Sequence, residues 1–269
     1  MFTIGLIGNG YVGKATHSII PSTYQVLIYD INPSICFPPD TQLTDLKVCD
    51  LFVVCVPTPP APDGSTDLSF VQTAINNIKS ISSAPIILRS TVPVGTSDSI
   101  GVSFWPEFLR QNTWQSDIRS CKSWILGTSD SHVYDLMFQL LSTSHKEGLI
   151  EYPFIKRITP KEAELIKYGR NTFLALKVSY FNELYDFCSK SNIDFETVRA
   201  HITNDIRINS EHSFVPGSDG KRGFGGACLP KDSMSLLRQY EQLEIPSYII
   251  KATVERNCKI DRSLINNSN

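Results

Sequence analysis

The chain has no C-x-x-C pair, and its seven cysteines, at positions 36, 49, 55, 121, 188, 228 and 258, form no metal-ligand spacing with its five histidines. No metal site is therefore expected. An odd, scattered set of thiols points to a reducing cytoplasm with most of them buried. Basic excess is also missing. The chain carries 25 Lys and Arg against 27 Asp and Glu, for a net charge of −2, so nothing argues for nucleic acid as a partner. No apolar run approaches the roughly 20 residues of a membrane span. The opening Met1-Phe2-Thr3-Ile4-Gly5-Leu6-Ile7 has no basic n-region and passes straight into a strand-like stretch, so a signal peptide is not expected. Internal repeats and low-complexity segments are absent too. A chain of 269 residues, 41% of them hydrophobic, reads as soluble and globular, with material for one large domain or two smaller ones.

The densest concentration of chemistry is Gly223-Phe224-Gly225-Gly226-Ala227-Cys228-Leu229-Pro230-Lys231-Asp232. Pro230 suits a first helical position, because its φ is already fixed and its missing N–H costs nothing there. Leu236, Leu237 and Tyr240 continue an apolar helical face. Cys228 is thus expected just before a helix N-terminus, where the positive end of the dipole and Lys231 favour thiolate over thiol. Asp232 is placed to hold a water or a substrate hydroxyl. The plainer alternative is a tight turn with a small buried thiol.

The first half alternates strands with helices. Thr3–Ile7 is an apolar run that leads into Gly8-Asn9-Gly10-Tyr11-Val12-Gly13, then a helical stretch from Lys14 to Ile20, then a second strand, Gln25–Tyr29, ending at Asp30. This is G-x-G-x-x-G between strand and helix, with an acid at the end of the next strand, the dinucleotide fingerprint. Gly8 makes the tight turn, Gly10 admits the pyrophosphate to the backbone, and Gly13 lets helix and strand close up. The helix N-terminus receives the phosphates, and Tyr11 and Val12, within the fingerprint, are expected to touch the cofactor. Asp30 can accept hydrogen bonds from ribose hydroxyls and would repel a 2′-phosphate, which favours NAD over NADP. Further strands are expected at Leu51–Val56, Pro85–Leu88 and Val102–Phe104, with a helix over 68–80 capped by Thr66 or Asp67. Such alternation implies a parallel sheet with ligands at the strands' C-terminal ends. Thr58, Thr91 and Glu107 stand at such ends. Taken singly, the threonines read as turn residues and Glu107 as a solvent-exposed acid. Placed beside a dinucleotide, Glu107 is a candidate general base. Cys55, in mid-strand, reads as a packed core thiol.

The second half opens on Thr159-Pro160-Lys161-Glu162, a capping box with proline in first position. A helical pattern then runs to about Ser189 without a proline, a rod of about 45 Å. Leu165, Phe173, Tyr180 and Phe187 are among apolar residues on nearly every face, so burial all round is expected, part of it by a second subunit. Lys167 and Asn171 are four apart and share a face. They are either a snorkelling lysine with a hydrogen-bonded core amide or a pair of oxyanion and hydroxyl ligands. Asp194 is expected to cap a helix from Phe195 to about Ile208, and two more helices follow, 230–243 and 246 to about 264, before a frayed Asn266–Asn269 tail. The expected fold is α/β: a Rossmann-like NAD-binding domain over 1–157, then the long connecting helix and an all-helical domain over 158–269.

Read together, GNGYVG, CVPTP with DGSTDLS, STVPVG, PEFLR, AELIKYGRN with FLALKVSYFNEL, and GFGGACLPKD occur in one order along nearly the whole chain. In this the chain resembles the UDP-glucose/GDP-mannose dehydrogenase family. The resemblance implies an NAD-dependent, two-step oxidation of a nucleotide sugar's C6 alcohol to a carboxylate, with UDP-glucose the foremost substrate. It implies Cys228 as the nucleophile that carries a thiohemiacetal and then a thioester. Lys167 and Asn171 would stabilise the oxyanion, Asp232 would assist proton movement with a water, and Glu107 would activate water for thioester hydrolysis. Thr91 would contact the cofactor and order a catalytic water, while Thr58 and Lys231 would touch the cofactor. Phe108, Leu109, Arg110 and Gln111, with Phe224 and Gly225, would line the sugar site. Arg207 resembles an arginine that reaches the substrate from a neighbouring subunit, and the 159–189 helix would be the core of a homodimer.

The chain also departs from the pattern. Family members continue into a second α/β domain that binds most of the nucleotide, and this sequence stops near where that domain would begin. Gln111 stands where a second glutamate is usual, which leaves Glu107 without a charged neighbour, and Trp105 stands where asparagine is usual. Two other readings follow. One is an NAD-binding dimeric protein with impaired catalysis, or an enzyme dependent on a partner. The other is a β-hydroxyacid dehydrogenase, which performs a single oxidation and has no use for a cysteine.

Overall fold

The computed structural model describes residues 1–262, and these fall into two compact units. The first comprises Met1–Pro59 and Thr66–Lys167; the second comprises Pro60–Ser65 and the chain from Tyr168 onward. The division thus falls inside the long helix, later than the 157/158 boundary expected from sequence.

The first unit is built on seven strands, β1 (Thr3–Ile7), β2 (Gln25–Tyr29), β3 (Leu51–Val54), β4 (Ile86–Leu88), β5 (Ser103–Phe104), β6 (Trp124–Gly127) and β7 (Ile155–Ile158), in the order β2-β1-β3-β4-β5-β6-β7. Alternate residues supply two cores. Leu51 and Val53 face one, with Ala15 and Ile19 of α1 (Tyr11–Ser18) and Val133, Met137, Leu140 and Leu141 of α5 (Ser131–Lys146). Phe52 and Val54 face the other, with Val71, Ala74, Ile75 and Ile78 of α2 (Ser69–Ile81). A strand buried on both faces must be apolar at every position, which is why β1 and β3 read as unbroken runs. β1 pairs with β2 on one side and β3 on the other, both parallel. The crossovers therefore diverge at the C-terminal end of β1, the place where open α/β sheets bind ligands.

The parallel expectation holds from β1 to β5 and then fails. β5 and β6 pair antiparallel, Phe104 opposite Gly127, and β7 is parallel to β6. The sequence reading did not anticipate β7, because Lys156 and Arg157 interrupt its apolar pattern and are exposed. It also missed α3 (Thr96–Ile100) and α4 (Trp114–Arg119). Leu68, not Thr66 or Asp67, stands at the N-cap of α2, although Asp67 Oδ1 still accepts the Ser69 N–H at 2.8 Å.

The helix α6 (Pro160–Lys190) begins with the expected box: the Thr159 N–H donates to Glu162 Oε2 at 2.8 Å, and the Glu162 N–H to Thr159 Oγ1 at 3.3 Å. It is not buried on every face. Leu165, Phe173, Tyr180 and Phe187 form an exposed apolar stripe. In the second unit, α7 (Phe195–Thr203) is capped by Asp194, which accepts the Thr197 N–H at 2.9 Å. It ends short of Ile208 because Asp205 turns the chain by accepting the Arg207 N–H at 2.9 Å. Then come α8 (Leu229–Gln242) and α9 (Tyr248–Arg256), the latter closing in a π-helical turn over Asn257–Asp261 rather than running on. The expected extension to Leu264 and the Asn266–Asn269 tail lie outside the described residues. Phe181 and Cys188 of α6 pack with Phe195 to form this unit's core.

Candidate active site

The loop after β1 is shaped by close backbone approaches. Gly8 has φ +92°, and a Cβ on it would lie 2.7 Å from the Cys55 carbonyl oxygen; one on Gly13 would lie 2.1 Å from that of Gly8. Neither position admits a side chain without moving backbone. Gly10 differs, since nothing lies within 4 Å of where its Cβ would be. It caps α1 with no side-chain hydrogen bond, so the N-terminus of the helix opens onto free space. An open cradle at a helix start, beside a switch point in the sheet, fits a pyrophosphate. Tyr11 and Val12, in the first turn, are half-buried. Asp30 stands just past β2. Its Oδ2 accepts the Asn9 N–H at 2.7 Å and its Oδ1 the Asn32 N–H at 2.9 Å. These bonds orient the carboxylate and leave lone pairs for ribose hydroxyls. Thr58 and Thr91 are buried beyond the ends of β3 and β4. These residues fit NAD.

Glu107 corrects the expectation of an exposed acid. It is 5% exposed and meets Lys167, itself 3% exposed. Lys167 Nζ donates to Glu107 Oε1 at 2.6 Å and to the Glu107 carbonyl at 2.7 Å, and the Leu109 N–H donates to Glu107 Oε2 at 2.7 Å. Burial alone would push the Glu107 carboxyl up. The adjacent ammonium, its hydrogen bond and that of Leu109 outweigh burial and hold the group below the ordinary carboxylate range. Lys167 is therefore not a snorkelling lysine. Its charge is answered 60 residues away in sequence, by the acid that seemed to lack a charged neighbour. The Phe108 ring lies 5.6 Å from Lys167 Nζ. Arg110 and Gln111, further along the segment, are exposed, and Arg110 pairs with Asp117 at 2.6 Å.

The second unit assembles another group. Asp232, 1% exposed, accepts from Asn171 Nδ2 at 2.6 Å through Oδ2 and from Lys231 Nζ at 2.6 Å through Oδ1. Cys228 is the N-cap of α8, half-buried, with its side chain making no capping hydrogen bond. The helix starts at Leu229, so Pro230 occupies its second position. Cys228 and Asp232 stand one helical turn apart, the Asp232 N–H donating to the Cys228 carbonyl at 2.9 Å. Phe224 is buried and Gly225 half-buried on the loop before them. Arg207 is not brought to this group. Its side chain is 84% exposed and paired with Asp205.

The sequence reading overlooked Glu164. It is fully buried, and its carboxylate accepts the Gly95 N–H at 2.5 Å and the Ser97 N–H at 2.8 Å, tying the loop that follows Thr91 to the start of α6. An acid three residues before Lys167, amid apolar neighbours, was the available signal.

The chain matches two family models. That of the UDP-glucose/GDP-mannose dehydrogenase family, NAD binding domain, covers residues 39–144, and that of the same family's central domain covers 161–259. UDP-glucose 6-dehydrogenase of Pseudomonas aeruginosa is 31% identical over 236 residues, 80% of this chain and 49% of that protein. The chain spans about half the length of the curated relatives it matches. Among solved structures, a UDP-glucose dehydrogenase from Pyrobaculum islandicum aligns with TM-score 0.80 and 27% identity, over 96% of this chain and 68% of that one. Mycobacterium tuberculosis 3-hydroxyisobutyrate dehydrogenase aligns with TM-score 0.75 at 14% identity, over 96% of this chain and 93% of its own, a likeness of fold alone.

Proposed function

Because the chain belongs to the UDP-glucose/GDP-mannose dehydrogenase family, we propose that it takes part in the NAD-dependent, four-electron oxidation of a nucleotide sugar, UDP-glucose foremost, from C6 alcohol to carboxylate. The observation that carries this reading is Asp232, a buried carboxylate held by Asn171 and Lys231 one helical turn past Cys228. A dehydrogenase that stops at a carbonyl needs no nucleophile there.

Bound NAD would accept the hydride at each oxidation. The chain's own residues do the rest. Asp232, through a water, takes the proton of the C6 hydroxyl as the aldehyde forms. Cys228 Sγ adds to the aldehyde carbon and holds it as a thiohemiacetal, with Asn171 donating to the oxygen that gains charge. Loss of the second hydride leaves a thioester on Sγ. Water then adds to the thioester carbon, the C–S bond breaks, and the carboxylate leaves with Cys228 restored.

Glu107 is the candidate base for that last step, and its pairing imposes an order. A carboxylate held below its ordinary range by Lys167 is a weak base. If Lys167 turns its ammonium to the substrate oxyanion, Glu107 loses the cation that holds it down and burial raises its basicity. Lys167 would thus switch Glu107 on by leaving it. Thr58, Thr91 and Lys231 are proposed to line the cofactor, Phe108 to Gln111 with Phe224 and Gly225 the sugar, and Arg207 to serve a second subunit docked on the exposed stripe of α6.

The test is NADH formed per mole of limiting UDP-glucose, with GDP-mannose and UDP-N-acetyl sugars in parallel. Two NADH per sugar, abolished by Cys228→Ser, is the expected result. One NADH per sugar, indifferent to Cys228→Ser, would overturn the cysteine mechanism. No NADH with any sugar nucleotide, despite NAD binding, would leave an NAD-binding protein without this activity.

A further inference from the structure

The glycine-rich loop that leads to Cys228 is held from behind by a turn that the catalytic scheme does not use. Helix α9 ends in the π-helical turn Asn257–Asp261, a geometry that recurs at functional sites. Asn257 is buried, and its carboxamide meets the backbone of Phe224 twice. Oδ1 accepts the Phe224 N–H at 2.8 Å, and Nδ2 donates to the Phe224 carbonyl at 3.0 Å. A side chain here supplies the pair of bonds that a neighbouring strand would supply. The turn is fixed in its own right. The Arg262 N–H donates to the Asn257 carbonyl at 2.7 Å, and Asp261, its side chain 0% exposed, pairs with Arg222 at 2.9 Å and Arg256 at 3.1 Å.

The loop is cut to fit this clamp. Gly223 has φ +66°, and a Cβ on it would lie 2.3 Å from Asn257 Oδ1. Its N–H donates to Asn182 Oδ1 at 3.1 Å, so α6 grips the same residue from its other side. Two asparagines from distant parts of the chain thereby satisfy consecutive backbone amides in a loop with no secondary structure of its own.

We propose that Asn257 is a positioning residue for the substrate loop: by holding both backbone groups of Phe224 it sets where Gly225 lies and where Cys228 presents its thiol. The kinetic part of this inference rests on the proposed function; the structural part does not. With the Gly223 N–H on Asn182 and glycines at 225 and 226 between clamp and cysteine, the two Asn257 bonds to Phe224 fix the point from which the rest of the loop takes its register.

The experiment compares Asn257→Ala, Asn257→Asp and Gly223→Ala with the wild-type chain. The aspartate keeps size and the acceptor for the Phe224 N–H but sets a second oxygen against the Phe224 carbonyl. Gly223→Ala disturbs the same contact from the loop. The expected result is a fall of roughly ten- to a hundredfold in kcat with UDP-glucose, the scale of a misplaced reacting group. The Kd for NAD, most of whose proposed contacts lie in the first unit, should stay within about twofold of wild type, and the iodoacetamide rate at Cys228 should change in all three variants. Kinetics within about twofold of wild type, or losses that track a weakened NAD Kd, overturn the proposal. If the wild-type chain makes no NADH, the functional reading fails, while the alkylation rates still decide the positioning claim. Hydrogen exchange on the wild-type chain supplies a check that needs no variant. The Phe224 amide should be protected well beyond those of Gly226 and Ala227, and free exchange there overturns the clamp.

Discussion

Lys167 and Glu107 place opposite charges 2.6 Å apart where water scarcely reaches. Removing one partner from such a pair strands the other. Lys167→Met should therefore cost about 3–5 kcal/mol, measured by urea unfolding. The pH dependence of stability should change with it. Glu107 is held low in the folded chain, so its contribution is present above the unfolded value of about 4.3 and is lost as pH falls through its lower folded value. In Lys167→Met the nearest cation is gone, and burial, the largest influence, raises the folded value against the smaller pull of the Leu109 N–H and Arg89. Stability should then increase as pH is lowered toward about 4, the reverse of the wild-type trend. A melt series from about pH 3 to 7 reads both signs, the wild-type loss below about pH 4 and the variant's gain as pH falls toward it. Thiols supply a second residue-scale prediction. Burial, with Asp50 adding to it, pushes Cys49 up to about 12, and burial pushes Cys55 up to about 11 against the pull of Arg89 and Thr16. Both should stay unmodified when the native chain is alkylated at neutral pH and mapped by mass spectrometry.

At the scale of elements, local chemistry decides where helices start. Asp130 caps α5, its Oδ1 accepting the His132 N–H at 2.8 Å and the Val133 N–H at 3.4 Å. Asp130→Ala should lower stability by about 1 kcal/mol and Asp130→Ser by only a few tenths, read as a shift in denaturation midpoint. The capping box of α6 and the Asp194 cap of α7 are of the same kind, and both were legible because capping couples residues two or three apart. Where elements end was less legible. Helix α7 stops at Thr203 and α9 at Arg256 because side chains and a π-turn outside the helical pattern take over the backbone there.

For the whole molecule, the open question of assembly lies on α6. Phe173, Tyr180 and Phe187 recur at sevenfold spacing and are 63%, 56% and 63% exposed. An exposed apolar stripe of this kind marks an interaction surface, and the homodimer proposed above would cover it. Light scattering should then give a dimer for the wild-type chain and a monomer for Phe173→Glu/Phe187→Glu. A wild-type monomer at high micromolar concentration would remove the basis for assigning Arg207 to a neighbouring subunit.

The sequence by itself determined the dinucleotide cradle, the alternation of strands and helices, the capped starts of α6 and α7 and the cysteine at the mouth of α8. Most of these rest on patterns among residues near in sequence, such as the contact of Gly13 with Gly8, periodic burial and side-chain caps, although Gly8 also depends on the Cys55 carbonyl that folding brings to it. Tertiary structure alone decided the reversal of β6 and β7, the pairing of Glu107 with Lys167, the hold of Glu164 on the loop after Thr91 and the clamp of Asn257 on Phe224. Each of these depends on which groups meet after folding has removed them from water. A buried charge or amide must be answered by whatever the fold brings within about 3 Å, and the spacing of residues along the chain does not carry that information.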